Sequence, residues 1–423
     1  MPQWHGRSLG LITDWGCGCG WGQGGAWAGL ALGVGYLGSI RTDRQELIKE
    51  EWRLSRQMSV DPAAVGHSGQ LTTIASLLIT MALPLFTLLL TALPVVHCFP
   101  TAFQDLERSG KNQTSIRFLA LGDWGGVPYP PYITPVEKAT AWEMGKVAEQ
   151  MGADFVLALG DNFYYSGVNS ADSPRFQDTF ERVYTADSLN IPWYILAGNH
   201  DHAGNVKAQI DYSRKSDRWR FPHYYYELNF RIPNTKRTLS IMMLDTVMLC
   251  GNSNDFDDEK PRGPLSSIEA NRQLIWLQQR MAQSKADFLL VAGHYPVWSV
   301  SEHGPTECLL KRLRPLLVKH KATAYFCGHD HNLQYLKESG VGYVVSGAGN
   351  FLDPDTRHWH HVPKDTLKFF TGQASTLGGF VHGEVTKDKM TLTFIQAKGT
   401  SLYRTVLPRR DLNDDQNGSD DKD

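Results

Sequence analysis

Six polar residues recur in one setting along this chain. Asp123, Asp161, Asn199, His294, His329 and His331 follow short apolar runs that end in glycine: "FLALGD", "VLALGD", "YILAGN", "LLVAGH" and "YFCGHDH". One such Asp or Asn serves a turn. Five such ends together point to a shared site, because glycine lets the backbone turn sharply and come close. Two carboxylates, one amide and three imidazoles exceed what one tetrahedral ion takes, and they suit two cations. Paired ions sit about 3.5–4 Å apart, near enough for one carboxylate to bridge them. Asp161 is assigned that bridge. In extended backbone His329 and His331 point the same way, so two imidazoles can address neighbouring ions from one strand end.

The elements that must carry these residues are legible around them. The apolar runs read as strands buried on both faces. Between them lie helical patterns, "TPVEKATAWEMGKVAEQMG" and "SIEANRQLIWLQQRMAQS". The second puts Ala270, Leu274, Leu277 and Met281 on one stripe and Arg272 and Gln279 on the opposite face. Strands alternating with helices predict an α/β layered fold, with its site beyond the carboxyl ends of the strands.

The rest of the chain bounds the answer. Of 423 residues, 42% are hydrophobic and 20% charged, enough for a folded core. A net charge of -2 makes no electrostatic case for nucleic acid. Residues 1–75 are Gly- and Trp-rich at their start and lack a packable face, so they read as a disordered leader or as sequence absent from the mature protein. Cys17 and Cys19 lack the further ligands a metal site needs. Residues 76–98 carry no Asp, Glu, Lys or Arg. Started from Met81, they have signal-peptide proportions, although no basic residue follows Met81. Retained, they are long enough for a signal anchor, the one route to a membrane. Both readings send residues 99–409, the expected catalytic domain, into the secretory pathway. Asn112 and Asn417 begin glycosylation sequons, and residues 410–423 read as an acidic disordered tail. Only Cys250, Cys308 and Cys327 follow the apolar segment, so one pair can close there.

The order GD, GDN, GNHD, GH, GHDH resembles the binuclear-metal phosphoesterases. Most cytosolic members open with D-x-H, whose His is a ligand; here "GDWGG" puts Gly125 in that place. Tyr164, in "GDNFYYSGV", is placed to fill the gap as a phenolate. With "LGDWGGVP", "WYILAGNHDHAGNV", "VAGHYPVWSVSEHGPT", "CGHDHNLQY" and "SGAGNF", the chain resembles the purple acid phosphatases in their small mammalian form over residues 115 to 409. The resemblance implies a β-sandwich of two mixed sheets flanked by helices. It implies Fe(III) on Asp123, Asp161, Tyr164 and His331. A divalent ion, Fe(II) with Zn or Mn as alternatives, falls on Asp161, Asn199, His294 and His329. Tyr165 is then packing or surface. The implied reaction is hydrolysis of phosphate monoesters, on small molecules or phosphoproteins, by a hydroxide held at the metals.

Further expectations follow from the same resemblance. His200 and His303 stand beside the substrate phosphate as hydrogen-bond donors and leaving-group acid, with Asp201 and Glu302 placed to orient them. His202 is a supporting residue, and His358, His360 and His361 read as a solvated loop. Cys250 pairs with Cys308, and Cys327 is a buried thiol. The polar loop near residues 251–266 restrains activity until a protease cuts near Lys260 or Arg262. The expected product is a lysosomal or extracellular monomer. Its rivals are a nuclease or nucleotide pyrophosphatase of the same superfamily, and a binding protein on a dead phosphatase frame.

Overall fold

The computed structural model describes residues 113–253 and 260–412. The leader, the apolar segment, Asn112, Asn417 and the end of the tail lie outside the described residues. No helix among the described residues is long and apolar enough to cross a membrane.

The first strand, β1 (Ile116–Leu121), is followed by helix α1 (Pro135–Met151). Thr134 caps α1 by accepting the Glu137 N–H, and Pro135 sits where no intrahelical donor is needed. Strands β2 (Phe155–Ala158), β3 (Trp193–Ile195) and β4 (Trp219–Arg220) continue parallel to β1. Helices α2 (Asn199–His202) and α3 (Val206–Tyr212) lie between β3 and β4.

The second half repeats the scheme. β5 (Tyr226–Arg231) and β6 (Thr238–Met243) pair antiparallel and lead to α4 (Thr246–Cys250) and α5 (Ser267–Gln283). β7 (Phe288–Ala292), α6 (Glu307–Arg312), α7 (Arg314–Lys319) and β8 (Ala324–Cys327) follow. Then come β9 (Leu333–Glu338), β10 (Val341–Ser346) and β11 (Leu367–Thr371). The chain closes with β12 (Gly379–Val385), β13 (Lys389–Gln396) and β14 (Ser401–Pro408).

Two seven-stranded mixed sheets result, ordered β14-β13-β12-β1-β2-β3-β4 and β11-β9-β10-β8-β7-β6-β5. Phe118 and Phe155 of the first sheet and Phe230 and Phe326 of the second are all fully buried. Phe155 stacks on Phe230 at 4.8 Å and Phe118 meets Phe326 edge-on at 5.7 Å, so the sheets pack face to face. Helix α5 buries Ala270, Leu277 and Met281 and half-buries Leu274, while Arg272 and Gln279 face solvent, as the stripe predicts. The stripe omits Gln273, which is buried and clamps Asp245 through both its backbone N–H and its carbonyl.

Candidate metal centre

The five strand ends converge. Asp123 follows β1, Asp161 follows β2 and Asn199 opens α2 after β3; His294 follows β7, and His329 and His331 follow β8. Asp123, Asp161 and His329 have φ of 56°, 52° and 72°. That left-handed backbone costs about 1–3 kcal/mol per non-glycine residue and is retained mainly where surrounding structure enforces it.

The surroundings do so across both sheets. Asp123 accepts the His329 N–H with both carboxylate oxygens, at 3.1 and 2.8 Å, and the Tyr164 hydroxyl at 3.2 Å. Tyr164 Oη also lies 3.0 Å from His331 Nε2. Asp161 Oδ1 accepts the His200 N–H, and its Oδ2 lies 3.3 Å from His294 Nε2. His294 Nε2 stands 2.8 Å from Asn199 Oδ1, and Nδ1 donates to the Leu159 carbonyl. That second bond fixes the ring so that Nε2 faces the site. Glycines make room for the carboxylates: a Cβ on Gly198 would meet Asp161 Oδ1 at 2.2 Å, and one on Gly328 would meet Asp123 Oδ2 at 2.3 Å.

Burial and mutual charge shift the titratable groups of this cluster strongly. Burial pushes the Asp123 carboxyl well above its usual range, against the pull of His294. Burial also lifts Asp201, to about 6, with the Asp161 charge adding to it. His294 loses by burial but gains more from Asp161 and Asp123, and rises to about 10. His329 is held well below its usual value by burial and by the neighbouring His303 and His294. Its Nδ1 is buried and has no hydrogen-bond partner among the described residues. Asp161, His294 and His329 offer ligand atoms within 4.8 Å of one another. A buried imidazole nitrogen with no hydrogen-bond partner, on a residue clustered with Asp161 and His294, fits a metal ion.

The other expected residues fall around this group. His200 gives its Nδ1 to the Tyr165 carbonyl at 2.7 Å and holds Nε2 4.0 Å from Asp161 Oδ2. Tyr165 therefore touches the site through its backbone carbonyl, which receives the His200 Nδ1. Asp201 acts further back, accepting N–H groups from Asn162, Gly198 and Gln209. His303 stacks on His329 at 4.0 Å, with its backbone N–H on Asp330 Oδ1. Glu302 lies 3.9 Å from Arg357. A cavity of about 200 Å³ opens beside His303 and His329, lined also by Glu302, Thr306, Arg357 and His358. His358 thus departs from the solvated-loop expectation: its Nδ1 meets the Ser301 carbonyl at 2.6 Å, while His360 and His361 are exposed. His202 pairs with Asp245 at 2.7 Å. Cys250 and Cys308 are disulfide-bonded, and Cys327 is buried and free.

Two supporting residues escaped the sequence reading. Arg175 is buried and donates to the carbonyls of Tyr164 and Gly125, fixing both sides of the tyrosine turn. Nothing in "DSPRFQD" announces that role. Asp330 is buried, and its place between the two histidines of "GHDH" was the available signal.

Known proteins carry the same organisation. The calcineurin-like phosphoesterase family matches residues 116–333. The chain is 57% identical to tartrate-resistant acid phosphatase type 5 of Oryctolagus cuniculus over 298 residues, 70% of this chain and 92% of that protein. It is 30% identical to purple acid phosphatase 4 of Arabidopsis thaliana, over 78% of this chain and 94% of that one. Among solved structures, GAP50, the anchor in the inner membrane complex of Plasmodium, shares the fold with a TM-score of 0.61 at 22% identity, covering 71% and 90% of the two chains. The chain belongs to the calcineurin-like phosphoesterases and, within them, to the purple acid phosphatases of the tartrate-resistant type, phosphomonoester hydrolases built on a binuclear metal centre.

Proposed function

We propose that the protein is an acid phosphatase whose two ions are Fe(III), on Asp123, Asp161, Tyr164 and His331, and a divalent ion on Asp161, Asn199, His294 and His329. Fe(II) is the expected divalent ion, ahead of Zn and Mn. The observation that carries this reading is the partnerless, buried His329 Nδ1 within a cluster that includes Asp161 and His294. The donor chemistry agrees with it: anionic oxygens suit a hard trivalent ion and imidazoles a divalent one. When bound, the pair supplies charge neutralisation to a phosphate and a water-derived nucleophile at acid pH.

The chain's own residues do the rest. The Tyr165 carbonyl accepts from Nδ1 and sets the His200 ring, so that in the imidazolium form Nε2 can also donate to a phosphate oxygen. His303, stacked on His329 and tethered by Asp330, borders the cavity where the leaving group would lie. As its protonated form it can hold the phosphate and deliver a proton to the departing oxygen. The Cys250–Cys308 bridge supports an oxidising destination, lysosomal or extracellular, for a monomer.

The loop reading also belongs here. The loop has a closed neck, with Gly263 N–H on the Cys250 carbonyl. Its root is fastened by Ser253 to Tyr295, whose ring lies 4.7 Å from His329. Ser253, Lys260 and Pro261 wall the cavity beside His303. Trypsin-like cleavage near Lys260 or Arg262 is expected to raise turnover severalfold while the disulfide keeps the neck in place. Clean cleavage with unchanged turnover would count against restraint.

The deciding experiment is the visible spectrum, with metal analysis, of wild type and Tyr164→Phe. A purple band in wild type that the substitution removes, with about two metals per chain, is the expected result. A colourless wild type with full occupancy overturns the iron assignment.

A further inference from the structure

Close to the tyrosine turn lies a buried acid that the reaction does not use. Glu137, in the first turn of α1, is fully buried, and neither carboxyl oxygen has a hydrogen-bond partner among the described residues. It stands three residues after Thr134, where an acid can reach back to the cap N–H. Burial holds its carboxyl well above the usual range; the Thr134 N–H and the Arg175 charge pull it back, but no hydrogen bond of ordinary geometry forms. Two neighbouring groups are equally incomplete. Tyr184 Oη and Trp124 Nε1 are buried without partners among the described residues, and the two rings meet edge-on at 5.6 Å. Burial raises the Tyr184 phenol, and the Glu137 charge adds to it, so acid and phenol are neighbours.

Arg175 borders the same gap. Its Nε donates to Thr179 Oγ1, Nη1 to the Tyr164 carbonyl and Nη2 to the Gly125 carbonyl. A guanidinium has five N–H donors, so two remain uncommitted among the described residues. Thr179 in turn donates to the Tyr132 carbonyl at 3.0 Å, which brings this arginine up to the start of α1. Burial pulls the guanidinium down, and the Glu137 charge is the first to oppose it. Yet no hydrogen bond joins Arg175 to Glu137. Polar groups that sense each other across a gap without contact call for a bridging water. Buried polar groups are nearly always paired. Trp124 and Arg175 only donate, while the Glu137 carboxyl and the Tyr184 oxygen can accept. A metal cation would leave the donors unserved; water serves donors and acceptors alike.

We propose that ordered water fills the gap between Glu137, Tyr184 and Arg175, and that Glu137 acts through it as a positioning residue for Tyr164. The path is short: Glu137, water, the Arg175 guanidinium, the Tyr164 carbonyl. The last step rests on the reading of Tyr164 as an iron ligand; the water site does not.

The test has two arms on the full-length holoenzyme. In a high-resolution crystal structure, water density is expected within hydrogen-bond distance of both Glu137 and Arg175. A dry gap, or a direct Glu137–Arg175 ion pair, overturns the proposal whatever the metals do. In solution, Glu137→Leu and Glu137→Gln are compared with wild type on ethyl phosphate, with the purple band read per bound iron. Glu137→Leu is expected to lower kcat about tenfold, the lower end of what groups that orient metal ligands contribute. KM should stay within about twofold, because Glu137 touches no substrate, and the band should weaken or shift in step. Glu137→Gln, whose amide also bonds water, is expected to stay within about threefold of wild type. Should Glu137→Leu fold poorly by circular dichroism, Tyr184→Phe deletes one partner of the water and keeps the ring; it should cost about threefold in kcat, the worth of one hydrogen bond. Unchanged kcat and band in Glu137→Leu overturn the positioning role. Equal losses in the leucine and glutamine variants overturn the water bridge in favour of charge alone. A wild type that is colourless at full metal occupancy overturns the Tyr164 step, and the crystal arm then decides the water site by itself.

Discussion

The two sheets contribute different chemistry to one site. The sheet containing β1, β2 and β3 supplies Asp123, Asp161, Tyr164 and Asn199, all oxygen donors. The sheet containing β7 and β8 supplies His294, His329 and His331, all nitrogen donors. Their supports differ as well. The oxygen side is set by sharp turns, close glycines and the buried Arg175 on the Tyr164 carbonyl. The imidazole side rests partly on a buried polar web, in which Gln334 reaches Ser299 and Asn332, and Asn332 reaches Ser301. Neither sheet holds a complete set. A metal site of this kind therefore depends on how the sheets meet, and the seam is the place to attack it.

The largest effect is expected where the halves touch most closely. Gly328 belongs to the β8 turn and faces Asp123 of the β1 turn, and an added Cβ would meet the carboxylate at 2.3 Å. The backbone there is too constrained to yield, because the His329 N–H is already bonded to the same carboxylate. Gly328→Ala should lower metal affinity by about 10–100-fold, the usual cost of disturbing groups that orient ligands. The purple band should weaken with it. Gly340, in the turn between β9 and β10, offers the contrast: a Cβ there meets nothing within 4 Å, although its φ is +82°. Gly340→Ala should cost about 1 kcal/mol of stability through backbone strain and leave metal binding alone. Equal metal loss in both variants, by metal analysis after dialysis, would mean that general destabilisation, not the seam, controls the site.

How much of this was legible depended on the range of the contact. The strand ends announced themselves locally, because each candidate ligand follows its own apolar run and glycine. The stripe on α5 was equally local. Adjacent tyrosines were beyond such reading: Tyr164 is buried on Asp123 and His331, while Tyr165 is half-buried with its ring beside His200 and Phe351, a choice made by the backbone of the turn. His358 was misread because its partners, Ser301 and Gly304, lie more than fifty residues earlier, and "RHWHH" looks solvated until that contact forms. Arg175 was invisible too, although Tyr164 lies only 11 residues earlier, because nothing in "DSPRFQD" marks an arginine buried against backbone carbonyls. The return of β12, β13 and β14 to β1 likewise has no local signal, since antiparallel partners far apart in sequence are chosen by packing.

A second pair crosses the seam outside the ligand group, and its effect should be smaller. His202, at the end of α2, belongs to the oxygen-bearing half, and Asp245, the cap of α4, to the imidazole-bearing half. Burial alone would push His202 down, but the charge and hydrogen bond of Asp245 outweigh it, with Asp201 adding and His294 opposing, so its pKa stands above the ordinary 6.5. A raised folded-state value means the imidazolium stabilises the fold fully below about pH 6.5. That contribution is lost as pH rises through the folded-state pKa. His202→Gln should therefore cost about 1–2 kcal/mol at pH 5, in the range of a charge-assisted hydrogen bond, and less at pH 9. Urea unfolding of both proteins at the two pH values measures the difference. A cost that is flat with pH, or larger at pH 9, would show that the pair joins the sheets as a neutral hydrogen bond, and that charge across the seam is confined to the metal site.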